Sequence, residues 1–182
     1  MSVNKLKTGC VHVYTGDGKG KTTASLGLGL RAAASGFRVC MFQFLKSKGG
    51  SAESRIKFLK FRIMCLNQVH PMFQRPEVSG TKPGMKLKNS IKKELVNIKR
   101  IMKTGRYDLI ILDELINCVS EGFLSEKDVL GVMRAKPKAV ELVLTGRQAP
   151  EAIIAEADYV TKMKKIKHPF DIGLKCRKGI EY

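Results

Sequence analysis

The sequence predicts an α/β fold in which a mostly parallel six-stranded sheet carries helices on both faces. Short apolar runs alternate with stretches of helical periodicity, which is the pattern of repeated βα units. A loop rich in glycine and lysine separates the first apolar run from the first helical stretch. The 182 residues, 43% of them hydrophobic, are enough to bury one core. We therefore expect residues 1–182 to form a single domain.

The six predicted strands are apolar runs rich in β-branched and aromatic residues. They cover residues 10–15, 37–44, 62–66, 109–113, 140–145 and 159–163. Two stretches between them have a different composition. Residues 46–54 are small and polar and predict a flexible loop, whereas residues 67–84 contain three prolines and predict a long irregular connection. Long loops in compact domains often carry function.

The predicted helices lie between the strands. Residues 22–34 are rich in alanine and leucine and are followed by Gly36, which is typical of a helix end. Apolar residues spaced three and four apart predict a helix over 87–102 with one buried stripe. Ser125, with Asp128 three residues later, predicts the start of a helix over 126–135. Pro150 introduces the last one, over 151–157.

The net charge of +18 is concentrated in two segments, 82–106 and 162–178, which together carry +14. Such a charge favours polyanionic ligands, namely nucleotide phosphates, nucleic acid or a membrane surface, although solvated helix faces have the same composition. No apolar run approaches the ~20 residues that span a bilayer, and the N-terminus has no secretory pattern. We therefore expect a cytoplasmic protein. Five scattered cysteines without a CxxC pair predict reduced thiols.

The loop after the first strand predicts a phosphate-binding site. Its residues are Thr15, Gly16, Asp17, Gly18, Lys19, Gly20, Lys21, Thr22 and Thr23. Glycines allow backbone N–H groups to point at phosphate oxygens, a lysine adds a point charge, and a threonine hydroxyl can bind Mg²⁺. The pattern G-x-x-x-x-G-K-[ST] fails only at Thr15, which stands where the first glycine belongs. We expect a locally reshaped cradle that holds the triphosphate in an unusual way.

Two carboxylates follow the strand over 109–113. Asp113 and Glu114 come at its carboxyl end, where ligands bind in open α/β sheets. An apolar strand ending in two acids is a weak signal alone, but after a phosphate loop it predicts a magnesium site. Asp113 or Glu114 would complete the metal shell, directly or through water.

These motifs together resemble one family, the P-loop type ATP:corrinoid adenosyltransferases. The resemblance rests on residues 13–24, 43–46, 112–115, 144–150, 167–170 and 179–182, and spans nearly the whole chain. It implies a RecA-like P-loop fold and transfer of the 5′-deoxyadenosyl group of ATP to the Co(I) of a corrinoid, with release of triphosphate. It also implies a role in making adenosylcobalamin, a homodimer, and an electron-donating reductase such as a flavodoxin as partner.

The resemblance also implies roles for particular residues. Lys21 and Arg147 would act on the triphosphate, while Thr22 and Glu114, with Asp113 nearby, would hold Mg²⁺. Related sequences often carry Trp in the connection after the third strand, where aromatic side chains displace the lower cobalt ligand. This chain has no Trp, and Phe73 is the stand-in that its sequence offers, with plain packing as the alternative.

Two rival interpretations of the sequence remain open. A P-loop ATPase or small-molecule kinase would share the phosphate loop but would release ADP. A basic nucleic-acid-binding protein would use the two charged segments. That second rival lacks stacking platforms, because aromatic residues make up 7% of the chain and are not interleaved with the basic runs.

Overall fold

Six parallel strands form one sheet in the part of the chain that the computed structural model describes, residues 5–47, 52–56, 60–68 and 82–181. They are β1 (Val11–Thr15), β2 (Val39–Gln43), β3 (Phe61–Cys65), β4 (Leu109–Asp113), β5 (Glu141–Thr145) and β6 (Tyr159–Lys162). Their order across the sheet is β3-β2-β4-β5-β1-β6. Because every pairing is parallel, the carboxyl ends of all six strands lie along one edge.

Helices cover both faces of this sheet. They are α1 (Lys21–Ala34), α2 (Lys82–Lys103), α3 (Asn117–Ser120), α4 (Glu126–Met133) and α5 (Glu151–Glu156). Successive strand residues point to opposite faces. Val39 and Met41 of β2 therefore join the core under α1, whereas Cys40 and Phe42 join the core formed with the other helices. Strands β2 and β4 are buried along their whole length, as expected for central strands of a parallel sheet. The predicted fold class is confirmed.

The structure corrects three details of the sequence-based assignment. The irregular connection predicted over 67–84 was placed too far along the chain at its end, because α2 already begins at Lys82. Pro83 fits the first turn of α2, where a backbone N–H has no partner within the helix. The predicted loop over 46–54 contains the start of a 3₁₀ helix, Ala52–Arg55. The four-residue helix α3 was not predicted, because it is too short to show a period. Phe73 lies outside the described residues. Among those described, no helix could cross a membrane.

An ion pair between the half-buried Arg38 and the buried Asp108 joins the amino ends of the central strands. Asp108, just before β4, accepts hydrogen bonds from the Arg38 backbone N–H at 2.8 Å and from its guanidinium at 3.0 and 2.7 Å. Only 4% of Asp108 is exposed. Burial by itself raises the pKa of this carboxyl, but the hydrogen bonds from Arg38 outweigh it, so the pKa lies below its ordinary value. Asp108 therefore remains charged at neutral pH and stabilises the start of β2 and β4.

We expect Asp108→Asn to lower the free energy of unfolding by about 1–3 kcal/mol at pH 7, because it removes a charge-assisted pair. Because the pKa of Asp108 is lower in the folded than in the unfolded protein, its ionisation stabilises the fold when the pH is above the unfolded-state pKa of about 4. This contribution is lost as the pH falls through the lower folded-state pKa. Urea unfolding of both proteins should therefore show a difference that shrinks below about pH 4. The exposed Asp171, paired with Lys165, is the control, and Asp171→Asn should have little effect. A difference that stays constant with pH would contradict this role for Asp108.

Candidate functional site

Polar side chains converge at the carboxyl edge of the sheet. Thr15, Gln43, Asp113 and Thr145 are the last residues of β1, β2, β4 and β5, which are neighbours in the sheet. All four are buried. The phosphate loop leaves β1 at this edge and enters α1 directly. This is the side of the sheet on which α/β folds bind ligands.

The phosphate loop is packed against the chain that leaves β6. Gly18 donates its backbone N–H to the Met163 carbonyl at 2.8 Å. Gly16 has a φ of 103°, and a Cβ atom there would lie 2.3 Å from the same carbonyl oxygen. Glycine is thus required at position 16 both for its backbone conformation and for the close approach of residue 163.

Thr15, the residue that departs from the usual loop pattern, has a partner far along the chain. Its hydroxyl oxygen accepts a hydrogen bond of 3.0 Å from the Ala149 backbone N–H. Ala149 belongs to the segment between β5 and α5 that also carries Arg147. The threonine therefore ties the start of the phosphate loop to the Arg147 segment, which a glycine could not do.

Lys21 lies within the phosphate loop. Its ammonium group donates to the carbonyl oxygens of Gly16 at 2.8 Å and Gly18 at 2.7 Å. Burial lowers the pKa of Lys21, and the positive charge of Arg147 lowers it further. The two positive charges therefore repel each other, and an anion bound between them would relieve that repulsion. Arg147 is held there by a 2.6 Å hydrogen bond from its backbone N–H to the Asn117 side-chain oxygen.

The side chains of Asp17 and Lys19 contact the C-terminal segment, and the charge of Asp17 also acts on Lys21. Asp17 accepts a hydrogen bond from the Lys165 backbone N–H at 3.2 Å, and Lys19 pairs with Glu181 at 3.1 Å. Thr23 is exposed in the first turn of α1. Within the predicted phosphate loop, Lys21 interacts electrostatically with Arg147, Glu114 and Asp113, and the Thr22 hydroxyl donates to Asp113.

Asp113 is completely buried and uses both of its carboxylate oxygens. Oδ1 accepts from the hydroxyls of Thr22 at 2.9 Å and Thr145 at 2.8 Å. Oδ2 lies 3.0 Å from the Lys46 ammonium and 3.4 Å from the Gln43 amide nitrogen. Since the Thr22 hydroxyl directs its proton to Asp113, its oxygen lone pairs are left for a cation.

Glu114 is the second carboxylate and has a different environment. Its backbone is in the left-handed region, with a φ of 62°, and its N–H donates to the Thr145 hydroxyl at 2.9 Å. Burial, followed by the negative charge of Asp113, raises the pKa of Glu114 to about 7. A non-glycine residue in this conformation is strained, and such strain is often found at functional sites. A cation beside Glu114 would favour its charged form.

The donor set fits Mg²⁺ when phosphate oxygens complete it. Thr22 and Glu114 supply hard oxygen atoms, which magnesium prefers, and Asp113, the third predicted ligand, lies beside them with both oxygens already hydrogen-bonded. Within the described ranges no three or more His, Cys, Asp or Glu side chains are grouped so that they could hold a metal by themselves. The protein therefore offers part of a magnesium shell, as in sites where the metal binds together with a nucleotide.

Four residues of this site were not in the predicted ligand set, namely Gln43, Lys46, Asn117 and Thr145. Burial lowers the pKa of Lys46, but the nearby Asp113 and Glu53 raise it more, so its pKa lies above the ordinary value and Lys46 stays charged. Gln43 ends β2 and Lys46 follows it, and β2 pairs with β4. Their position at the end of a predicted strand was a usable signal, but the neighbour relation of β2 and β4 is not visible in the sequence.

Comparisons with known proteins identify the family that this sequence resembles. Residues 7–182 match the model of a family described as ATP:corrinoid adenosyltransferase BtuR/CobO/CobP. The corrinoid adenosyltransferase of Escherichia coli (strain K12) is 28% identical over 177 residues, which are 96% of this chain and 86% of that protein. Its counterpart CobA from Salmonella typhimurium is 30% identical over 177 residues, with the same shares, and that of Sinorhizobium sp is 30% identical over 183 residues, 100% of this chain and 84% of that protein.

One solved structure supports the fold independently. A crystal structure of a KaiC-like protein from Pyrococcus horikoshii OT3 superposes with a TM-score of 0.55 and 16% sequence identity, covering 91% of this chain and 85% of that one. At this identity the similarity concerns the fold alone. It agrees with the P-loop type of α/β architecture.

Proposed function

The chain belongs to the ATP:corrinoid adenosyltransferase family, and on that premise we propose that it transfers the 5′-deoxyadenosyl group of ATP to the Co(I) of a corrinoid. The family match over nearly the whole chain supports the reaction. The observation that supports its location is the Lys21 ammonium inside the phosphate loop, beside Arg147 and two carboxylates. The product would serve adenosylcobalamin biosynthesis or salvage.

In this reaction the cobalt–carbon bond forms as the bond between C5′ and the triphosphate oxygen breaks. The leaving triphosphate takes the electron pair of that bond and carries roughly four negative charges. Charges already aimed at the departing oxygens lower the barrier, because they need no reorganisation. Lys21 and Arg147 are the two cations of this site that would stabilise the triphosphate. Lys21 would exchange its bonds to the Gly16 and Gly18 carbonyls for bonds to phosphate oxygens.

We assign the magnesium site to the Thr22 hydroxyl and the Glu114 carboxylate. Bound magnesium would supply positive charge between the phosphate oxygens. Asp113 would not bind the magnesium directly but would position its ligands. Both of its oxygens already accept from other side chains, namely Thr22, Thr145, Lys46 and Gln43. It would orient the Thr22 hydroxyl, and Thr145 would fix the backbone of Glu114.

The corrinoid half of the site rests on the family resemblance. Phe73, assigned to displacing the lower cobalt ligand, is a proposal for a residue outside the described ranges. A homodimer, an electron-donating reductase such as a flavodoxin, and a cytoplasmic location are likewise proposals. We expect no nucleic acid or membrane partner.

Product analysis tests the reaction. Incubation with a chemically reduced Co(I) corrinoid and MgATP should yield triphosphate and the adenosylated corrinoid in equal amounts. Phosphorus NMR identifies the first product, and the light-sensitive absorbance of the cobalt–carbon bond identifies the second. Release of ADP and orthophosphate without a cobalt–carbon bond would instead favour the ATPase or kinase alternative.

We expect Lys21→Ala to lower turnover by roughly 10²–10³-fold, the loss seen when one preorganised electrostatic stabiliser is removed. Steady-state kinetics with Co(I) corrinoid would measure this effect. Lys19→Ala is the comparison variant and should cost much less, because the Lys19 side chain turns to Glu181. Equal losses at both positions in folded proteins would mean that the roles of the two lysines are misassigned.

We expect Glu114→Gln to raise the magnesium concentration for half-maximal activity by about tenfold or more, because it deletes a hard anionic ligand while keeping the size of the side chain. Titration of activity with magnesium at fixed ATP would measure the shift. Glu126→Gln is the matched control, since Glu126 is exposed at the start of α4. An unchanged magnesium dependence would assign the role to Asp113 or to the phosphates alone.

A further inference from the structure

The segment after β6 passes along the outside of the phosphate loop. Besides the bond between Gly18 and Met163, the Lys165 backbone N–H donates to the Asp17 carboxylate. Nearly every residue from 164 to 180 is exposed, so burial contributes little to keeping this segment in place. Its position next to the loop depends on these polar contacts and on a further one at Glu181.

Glu181 is the point at which this segment returns to the phosphate loop. Its Oε1 atom accepts from the Lys19 ammonium at 3.1 Å and from Arg177 Nη2 at 3.0 Å. Its Oε2 atom accepts from the Arg177 backbone N–H at 2.8 Å and from Arg177 Nε at 3.3 Å. The Glu181 side chain is 18% exposed, whereas those of Lys19 and Arg177 are 48% and 53% exposed.

The carboxylate of Glu181 stays charged over the working pH range. Hydrogen bonds from the Arg177 side chain and backbone, and then from Lys19, lower its pKa to about 2. A carboxylate that accepts charge-assisted hydrogen bonds from two cations is held more firmly than one in a single surface ion pair. We call Glu181 the anchor of this segment. Arg177 holds the anchor, and Lys19 connects it to the loop.

Lys19 occupies a sensitive position in the phosphate loop. It lies between Gly18 and Gly20, and Gly20 has a φ of 118°. The Gly18 N–H bond to Met163 and the Lys21 bond to the Gly18 carbonyl already restrain this part of the loop. Glycines on both sides of Lys19 nevertheless leave its backbone more rotational freedom than other residues would. A tether on the Lys19 side chain restricts that freedom before a nucleotide binds, which lowers the entropy cost of binding.

We propose that Glu181 is a positioning residue that holds the phosphate loop, through Lys19, in the conformation that binds the triphosphate of ATP. This inference rests on the proposed function insofar as it takes ATP to be the ligand of the loop. It assigns to the C-terminal segment a role in nucleotide affinity, although none of its residues needs to touch the nucleotide.

The test is a double-mutant cycle with Glu181→Gln, Lys19→Ala and the double variant. Calorimetry with magnesium triphosphate gives affinity, and steady-state kinetics give KM for ATP and for the corrinoid separately. Each single variant should weaken triphosphate binding and raise KM for ATP by about three- to tenfold, in line with the loss of one charge-assisted contact. The double variant should be no worse than Lys19→Ala alone, since both substitutions remove the same tether.

Other readouts separate this role from a general structural one. KM for the corrinoid and the melting temperature should stay unchanged, because the segment is exposed. Lys19→Arg, which keeps the charge, should recover part of the affinity. Lys178→Ala is the matched control: Lys178 is exposed in the same turn and should behave as the unmodified protein.

Wild-type triphosphate affinity in Glu181→Gln would overturn the proposal, as would additive losses in the double variant. Both outcomes differ from failure of the proposed function. If the unmodified protein forms no adenosylated corrinoid yet Glu181→Gln still weakens triphosphate binding, the reaction is misassigned and the positioning role stands.

Discussion

The buried charge of Asp113 is the constraint on which the site depends. A carboxylate with no exposed surface, at the end of a central strand, is costly unless its oxygens are paired. Its partners come from four parts of the chain: Thr22 from α1, Thr145 from β5, Gln43 from β2, and Lys46 from the segment after β2. Compensating one charge therefore brings four elements to the same edge of the sheet.

This arrangement places the two adjacent carboxylates in different environments. Asp113 has no free oxygen to offer a ligand, whereas Glu114, turned by its left-handed backbone, keeps a carboxylate whose pKa is raised to about 7. Burial and the charge of Asp113 disfavour the charged form of Glu114, whereas the Lys46 ammonium compensates the charge of Asp113.

The sequence was sufficient to predict those elements that depend on residues close together in the chain. Strand periodicity gave the sheet, and the spacing of glycines, Lys21 and Thr22 gave the phosphate loop. The strand order and the long-range hydrogen bonds could not be predicted from the sequence, because they depend on contacts between segments that are far apart in the chain. The hydroxyl of Thr15, for example, bonds to Ala149, 134 residues away. In the sequence, Thr15 departs from the phosphate-loop pattern. The hydrogen bond to Ala149 in the structure explains why a threonine stands there.

The phosphate loop is held from several sides before any nucleotide is present. Thr15 ties it to the β5–α5 segment, Gly16 and Gly18 pack against Met163, and Lys19 is joined to Glu181. A glycine-rich loop left free would lose much conformational entropy on binding a triphosphate, whereas these contacts impose that cost during folding. For a reaction that expels the whole triphosphate, preorganised charge around the leaving group is the main contribution that a protein can make. The glycines of the phosphate loop thus allow close packing against Met163, and the contacts of the loop then restrict the backbone freedom that glycine would otherwise give it.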